Sequence, residues 1–194
     1  IKYYLNKCIE DVNCELELIY GVNPSINPIN KEIFLKLLSH LRDNYEFLYE
    51  TNTLDIRCEI VNKGRSVMNN IRATLEGIQS IKQYCLQDNF DDLEPTYIRK
   101  SQYKDPKNKN IKYNSIYSGL YPCRINLKNE DPLNSNNPEI QLLLNNWSDH
   151  NKYFRYKKRY SYLSFNKLWR IDLTAIKSSD KKDKKYMYSK TFRK

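Results

Sequence analysis

Glycine and histidine are both scarce here, with four of one and two of the other in 194 residues. Four scattered glycines leave no G-x-x-x-x-G-K-[ST] loop and no kinase-type Gly-rich loop, so the common glycine cradles for nucleotide phosphates are excluded. Low glycine and seven prolines also exclude collagen-like and low-complexity classes. His40 and His150 leave little room for histidine-based nucleophilic catalysis. The five cysteines (Cys8, Cys14, Cys58, Cys85, Cys123) contain no C-x-x-C pair, which argues against a structural zinc site. A cysteine phosphatase needs Arg six residues after its nucleophile; Cys58 has Gly64 there, with Arg65 one place too late. Odd in number and widely spaced, the cysteines read as reduced thiols in a cytosolic setting. No N-terminal apolar leader core is present, and no apolar run approaches the roughly 18 residues of a membrane span.

What remains is a chain rich in tyrosine (17) and basic residues, with 33 Lys/Arg against 23 Asp/Glu and a net charge of +10. Its length suits one domain, and 40% hydrophobic residues can supply a core. Tyrosine favours strands. Residues 177–194 hold eight Lys/Arg and two Asp, or +6 of the net charge, so the body is only mildly basic. An anionic partner fits, but where the charges sit must carry the argument. The chain starts on Ile and stops in charged sequence, which leads us to expect a piece of a longer polypeptide.

Periodicity gives the elements. Strands are expected at Cys14–Tyr20, Thr53–Val61, Ile71–Leu75, Cys123–Leu127, Phe154–Tyr162 and Trp169–Thr174. Helices are expected at 30–48, capped by Asn30, at Gly77–Cys85, and at 138–147 with Pro138 in the first turn. Residues 101–119 read as a flexible polar loop and 178–194 as a basic tail or linker. The sum is an α+β pattern. Strand after strand carries charge on one face and apolar groups on the other. A sandwich with a solvated face explains that, as does a barrel with a polar interior; pattern alone favours the sandwich.

Three constellations could carry chemistry. Glu15 and Glu17 share a strand face and offer the hard carboxylate oxygens that Mg²⁺ or Mn²⁺ prefers; a solvated strand face is the plainer reading. Arg155, Lys157 and Arg159 alternate along one strand and could neutralise phosphate charge, or simply form a surface strip or an RNA-backbone contact. Asp172 and Thr174 alternate on the next strand, where they could place a metal and its waters or merely make a polar face.

Taken in order, CELELIYG (14–21), LDIR (54–57) with IRATLEG (71–77), RINLKNEDPL (124–133) and FRYKKRYSYLSFNKLWRIDLTAIKSS (154–179) resemble the metal-dependent RNA 5′-triphosphatase domain. The likeness is to that domain in the multifunctional mRNA capping enzymes of large nucleocytoplasmic DNA viruses, and it covers roughly two-thirds of the chain. It implies an antiparallel closed β-barrel, the triphosphate tunnel, with a few peripheral helices. It also implies Glu15, Glu17 and Asp172 at an Mg²⁺ or Mn²⁺ ion, and Arg72, Lys100, Arg155, Lys157, Arg159 and Thr174 on phosphate. Glu130, Arg72, Lys157 and Arg159 would be catalytic. The family's second glutamate strand, E-x-E-x-E, should follow the Asp-x-Thr strand; after Ser179 the sequence is lysine-rich instead, so a last strand is expected to be missing. Ile19 stands where relatives often carry a basic residue.

The resemblance implies removal of the γ-phosphate from the 5′-triphosphate end of nascent RNA, with free nucleoside triphosphates as further substrates. It also implies covalently linked guanylyltransferase and methyltransferase domains, no membrane partner, and a place in the cytoplasm of an infected cell, at the viral factory or packaged in the virion. Two alternatives remain: a tunnel enzyme acting on tripolyphosphate or nucleoside triphosphates, and a non-catalytic RNA-binding scaffold derived from the same fold.

Overall fold

Alternating residues dominate the chain, and a computed structural model shows them extended. It describes residues 2–21, 29–62, 65–104, 115–117 and 123–179. These form α1 (Lys2–Glu10), β1 (Cys14–Tyr20), α2 (Lys31–Asn44), β2 (Glu46–Asn62), β3 (Arg65–Met68), β4 (Ile71–Glu76) and α3 (Ile78–Gln87). Then come β5 (Thr96–Gln102), β6 (Ile116–Tyr117), β7 (Cys123–Leu133), α4 (Pro138–Asn145), a 3₁₀ turn (Trp147–Asp149), β8 (Lys152–Leu163) and β9 (Arg170–Ser178). The chain divides into two compact units, residues 1–37 with 99–131 and residues 38–98 with 132–194.

In the first unit β1 runs antiparallel to β7, with Leu16 opposite Leu127 and Leu18 opposite Ile125. The order is β1-β7-β5, and β6 pairs with β7. Tyr4, Tyr103, Ile125 and Leu127 form a small core, with Cys8, Cys14 and Leu16 packed against it. All five cysteines are free thiols. Cys8 Sγ and Cys14 Sγ lie 3.3 Å apart, and burial, then Cys8, pushes the Cys14 thiol up to about 12.

In the second unit the order is β5-β4-β2-β8-β9, with β3 on β2. The β2–β4, β2–β8 and β8–β9 pairs are antiparallel. One sheet face supplies Leu54, Ile56, Ile71, Ala73, Leu75, Phe154 and Tyr156 to a core closed by Ile81 and Tyr84 of α3, Ile140 and Leu143 of α4, and Trp147. Gly77 takes a positive φ (+88°) at the turn from β4 into α3. Asn137 caps α4 by accepting from Glu139 N at 2.9 Å, one residue before Pro138. Trp147 Nε1 donates to Tyr84 Oη at 3.1 Å, satisfying a buried polar atom. Phe154 is fully buried against this group. Phe154→Ala is therefore expected to lower stability by about 3–5 kcal/mol, read as a shift in the urea midpoint; an unmoved midpoint would refute this packing.

The α+β class and the largely antiparallel sheet with helices stand as expected. Among the described residues β1 lies at the end of the first unit's strand order and β9 at the end of the second unit's.

Several element boundaries need correction. The helix expected over 30–48 stops at Asn44, and Glu46 begins a strand that runs to Asn62. The last apolar contact of helical spacing is Leu41, the only buried residue of α2. Beyond it Phe47, Tyr49 and Thr51 suit a ladder with β8, which overrides the short-range signal. The Asn30 cap holds, with Ile33 N donating to Asn30 Oδ1 at 2.8 Å. Helix α1 and strands β3 and β5 lie outside the expected elements. Within 101–119, residues 101–102 finish β5 and Ile116–Tyr117 pair with β7, while 105–114 and 118–119 lie outside the described residues. So does 180–194 of the expected tail.

Candidate functional site

Residues facing one another in an antiparallel ladder share a side of the sheet. In the second unit this rule gathers one polar face. Thr53 sits opposite Lys157 and Asp55 opposite Arg155 across β2–β8, while Asp55 sits opposite Thr74 across β2–β4. Across β8–β9, Arg159 faces Thr174 and Ser161 faces Asp172. The cations Arg57, Arg72, Arg155, Lys157, Arg159 and Arg170 thus share their side with the carboxylates Asp55 and Asp172.

Asp55 is the hub. Only 4% exposed, it holds Lys157 Nζ at 2.9 Å, Arg72 Nε at 3.8 Å and Arg155 Nε at 3.9 Å. It also accepts from Thr74 Oγ1 at 3.0 Å. Asp172 is the second anchor. Arg159 Nη1 lies at 3.4 Å, Arg170 Nη2 at 3.1 Å, and Ser161 Oγ donates at 2.8 Å. Thr174 Oγ1 accepts from Arg159 Nε at 3.3 Å.

With Glu59 and Glu76 on the same side, four carboxylates stand against six cations. Burial, then the charges of Arg72 and Arg155, lowers the pKa of Arg57, although its guanidinium donates twice to Asn69 O at 3.0 and 2.7 Å. Lys157 is lowered too. Burial is the main cause, Asp55 opposes it, and the charges of Arg72 and Arg159 push the same way as burial. The face therefore carries a positive field that its own acids leave unsatisfied, the condition for holding a polyanion.

The first unit gathers carboxylates and cations in equal number, Glu15, Glu17 and Glu130 beside Lys100, Arg124 and Lys128. Glu15 faces Lys128, Glu17 faces Asn126 and Ile19 faces Arg124, so Glu130 follows on the same side of β7. Lys100 of β5 pairs with both Glu15, at 3.5 Å, and Glu130. Lys128 Nζ donates to Glu17 Oε2 at 2.9 Å. Burial alone would raise the Glu17 pKa, but the Lys128 hydrogen bond, with the charges of Lys128 and Lys100, outweighs it and holds the carboxyl below its ordinary value.

That shift has a sign. A folded pKa below the unfolded one gives stability that is present above the ordinary glutamate value of 4.5 and is lost as pH falls through the folded value. Glu17→Gln is expected to flatten the acid limb of a melting-temperature profile taken below that pH. An unchanged limb would mean that Glu17 is not paired as described.

Hard carboxylate oxygens suit Mg²⁺ or Mn²⁺, and Glu15 and Glu130 already converge on a single cationic atom, Lys100 Nζ. Among the described residues no group of three or more His, Cys, Asp and Glu side chains forms a ready cage.

Of the residues singled out in the sequence, Arg72, Arg155, Lys157, Arg159, Asp172 and Thr174 meet on the second unit's face, and Glu15, Glu17, Lys100 and Glu130 on the first unit's. Asp55, Arg57 and Lys128 were missed. Asp55-Ile56-Arg57 has the same period-two pattern as the basic strand, and Lys128 alternates with Asn126 and Glu130, so the signal was present. Nothing in the sequence shows that Asp55 would sit beneath three cations.

No protein-family model matches the sequence, and no curated protein does. Among solved structures, the chain is similar to the Mimivirus capping enzyme triphosphatase in a triclinic crystal at 1.65 Å. The TM-score is 0.63 at 20% sequence identity, over 92% of this chain and 76% of that one. The two share a fold.

Proposed function

We propose that this chain is a metal-dependent RNA 5′-triphosphatase that removes the γ-phosphate from nascent transcripts as the first step of cap formation. The observation that carries this reading is the crowding of Arg72, Arg155 and Lys157 around one buried carboxylate, Asp55, with Arg57 and Arg159 on the same side of the sheet. The shared fold with a viral capping triphosphatase supports it.

In the reaction, water attacks the γ-phosphorus and the bond to the β–γ bridging oxygen breaks. Its electron pair stays on the β-phosphate, giving a 5′-diphosphate end and inorganic phosphate. Lys157, Arg159 and Arg72 offset charge on the γ-oxygens as the bond loosens, and Arg155 and Lys100 bind the remaining phosphate oxygens. Glu130 orients the attacking water or takes its proton. Asp172 and Thr174 fix Arg159 and order nearby water. Glu15 and Glu17 would hold Mg²⁺ or Mn²⁺, which supplies Lewis-acid polarisation of the γ-phosphate. A diphosphate end is the acceptor for guanylyl transfer, so linked guanylyltransferase and methyltransferase domains fit the product.

The test is γ-phosphate release from 5′-triphosphate RNA, from ATP and from inorganic tripolyphosphate, with each metal and with Glu17→Ala. Metal-dependent release that prefers RNA and is abolished in the variant is the expected result. Release from tripolyphosphate alone would replace this reading with a small-triphosphate hydrolase, and no release from a folded, RNA-binding protein would replace it with a scaffold.

A further inference from the structure

Arg57 shares the polar face, yet the hydrolysis described above gives it no task. It is half-buried, and its guanidinium is held by an uncharged group. Nε and Nη2 both donate to Asn69 O, at 3.0 and 2.7 Å. That carbonyl is itself fixed, because Asn69 N donates to Cys58 O at 2.8 Å and Asn69 Oδ1 accepts from Ile71 N at 3.0 Å. Its neighbours are held differently. Arg72, Arg155 and Lys157 reach the carboxylate of Asp55, and Arg159 and Arg170 reach that of Asp172. Glu59, the next residue on Arg57's side of β2, accepts from Asn151 Nδ2 at 3.3 Å. An arginine held by a carbonyl keeps its charge for a ligand. After burial, the charges of Arg72 and Arg155 lower its pKa further. A rigid guanidinium among like charges costs stability in the free protein, and a bound anion offsets that cost.

The ladder indicates which anion. Arg159, Lys157 and Arg155 occupy alternate positions of β8, and Arg57 sits opposite Tyr153, the next position on the same side. The four cations therefore succeed one another at intervals of about 6.8 Å along the strand direction. Asn69 precedes β4, beyond Arg72 in the direction leading away from Thr74 and Asp55, so the clamp prolongs the row. A triphosphate spans about one such interval from its γ- to its α-phosphorus. With the γ-phosphate at Lys157 and Arg159, the α-phosphate lies by Arg155. The next phosphate of an extended strand then comes level with Arg57, as a nucleic-acid backbone follows a row of basic groups.

We propose that Arg57 holds the first phosphodiester of an RNA whose 5′-triphosphate lies on Arg155, Lys157 and Arg159. The placing of the triphosphate rests on the proposed function. Free nucleoside triphosphates and tripolyphosphate have no phosphodiester, so Arg57 is the residue that favours an RNA end over both.

Binding without divalent metal tests this apart from turnover. The 194-residue chain is titrated with ATP, with the 5′-triphosphate dinucleotide pppApG, and with pppApG carrying an uncharged methylphosphonate linkage. The parent is expected to bind pppApG roughly tenfold tighter than the other two, with a log–log salt slope steeper by about 0.7. Arg57→Gln is expected to lose that difference, whatever loss the three ligands share, and Arg57→Lys to regain part of it. The parent's salt slopes and the methylphosphonate arm decide the matter even where Arg57→Gln fails to fold. A methylphosphonate dinucleotide bound as tightly as pppApG would overturn the proposal, as would an advantage of pppApG that survives Arg57→Gln. If the chain shows the expected binding pattern but releases no γ-phosphate with Mg²⁺ or Mn²⁺, the hydrolase reading fails and the subsite stands.

Discussion

Asp55→Ala is expected to destabilise the chain by about 3–5 kcal/mol, because it leaves the buried Lys157 ammonium without its partner among other cations. Arg155 contributes little to that loss, since its side chain is 44% exposed and screened. Arg72 contributes more, being only 16% exposed beside the same carboxylate. Removing Asp55 also makes the face more positive, so inorganic tripolyphosphate is expected to bind the variant at least as tightly as the parent. Saturating anion should then recover part of the lost stability, about 2.7 kcal/mol at a hundred times Kd. Urea unfolding with and without tripolyphosphate checks both statements. A variant as stable as the parent would show that Asp55 is not the hub, and one that tripolyphosphate fails to stabilise would show that the face does not hold polyphosphate.

Lys157→Met is expected to separate chemistry from folding. Met fills the space of the lysine stem, and Asp55 keeps Arg72, Arg155 and the Thr74 hydroxyl, so the stability change should be well below that of Asp55→Ala. Loss of a charge aimed at the transferring phosphoryl group should slow γ-phosphate release about 10²–10³-fold. Because burial and neighbouring cations lower the Lys157 pKa, the charged form is lost at lower pH than for a free lysine. The parent rate should therefore fall on the alkaline side, below the usual lysine range, and Lys157→Arg should move that limb to higher pH. Single-turnover release across pH measures this. A Lys157→Met enzyme within threefold of the parent would remove Lys157 from the mechanism. The double variant Asp55→Ala with Lys157→Met should be more stable than the sum of the single losses, since each change removes the other's uncompensated charge.

The two faces were legible because a strand repeats every second residue. Arg155, Lys157 and Arg159 must share a side wherever β8 lies, as must Glu15 with Glu17, or Asp172 with Thr174. The Asn30 cap, Pro138 at the start of α4 and the apolar faces of Leu54–Ile56 and Ile71–Leu75 were readable for the same reason: each is a local property of a few consecutive residues. The α+β class followed from their sum.

Register is a different kind of fact. That Asp55 falls opposite Arg155 and beside Lys157 depends on how β2 aligns with β8, about a hundred residues away in sequence. A shift of one residue would turn those side chains to the other face. The same ladder extends β2 back to Glu46, where helical spacing had pointed to a helix end, because pairing with β8 outweighs a weak local preference. It also stands Phe165 against Tyr45 and brings Arg170 to Tyr49. Local sequence determined which residues share a face and what charge each face carries; only long-range pairing decided which carboxylate sits under which cations, because hydrogen-bonded ladders join segments that no local pattern connects.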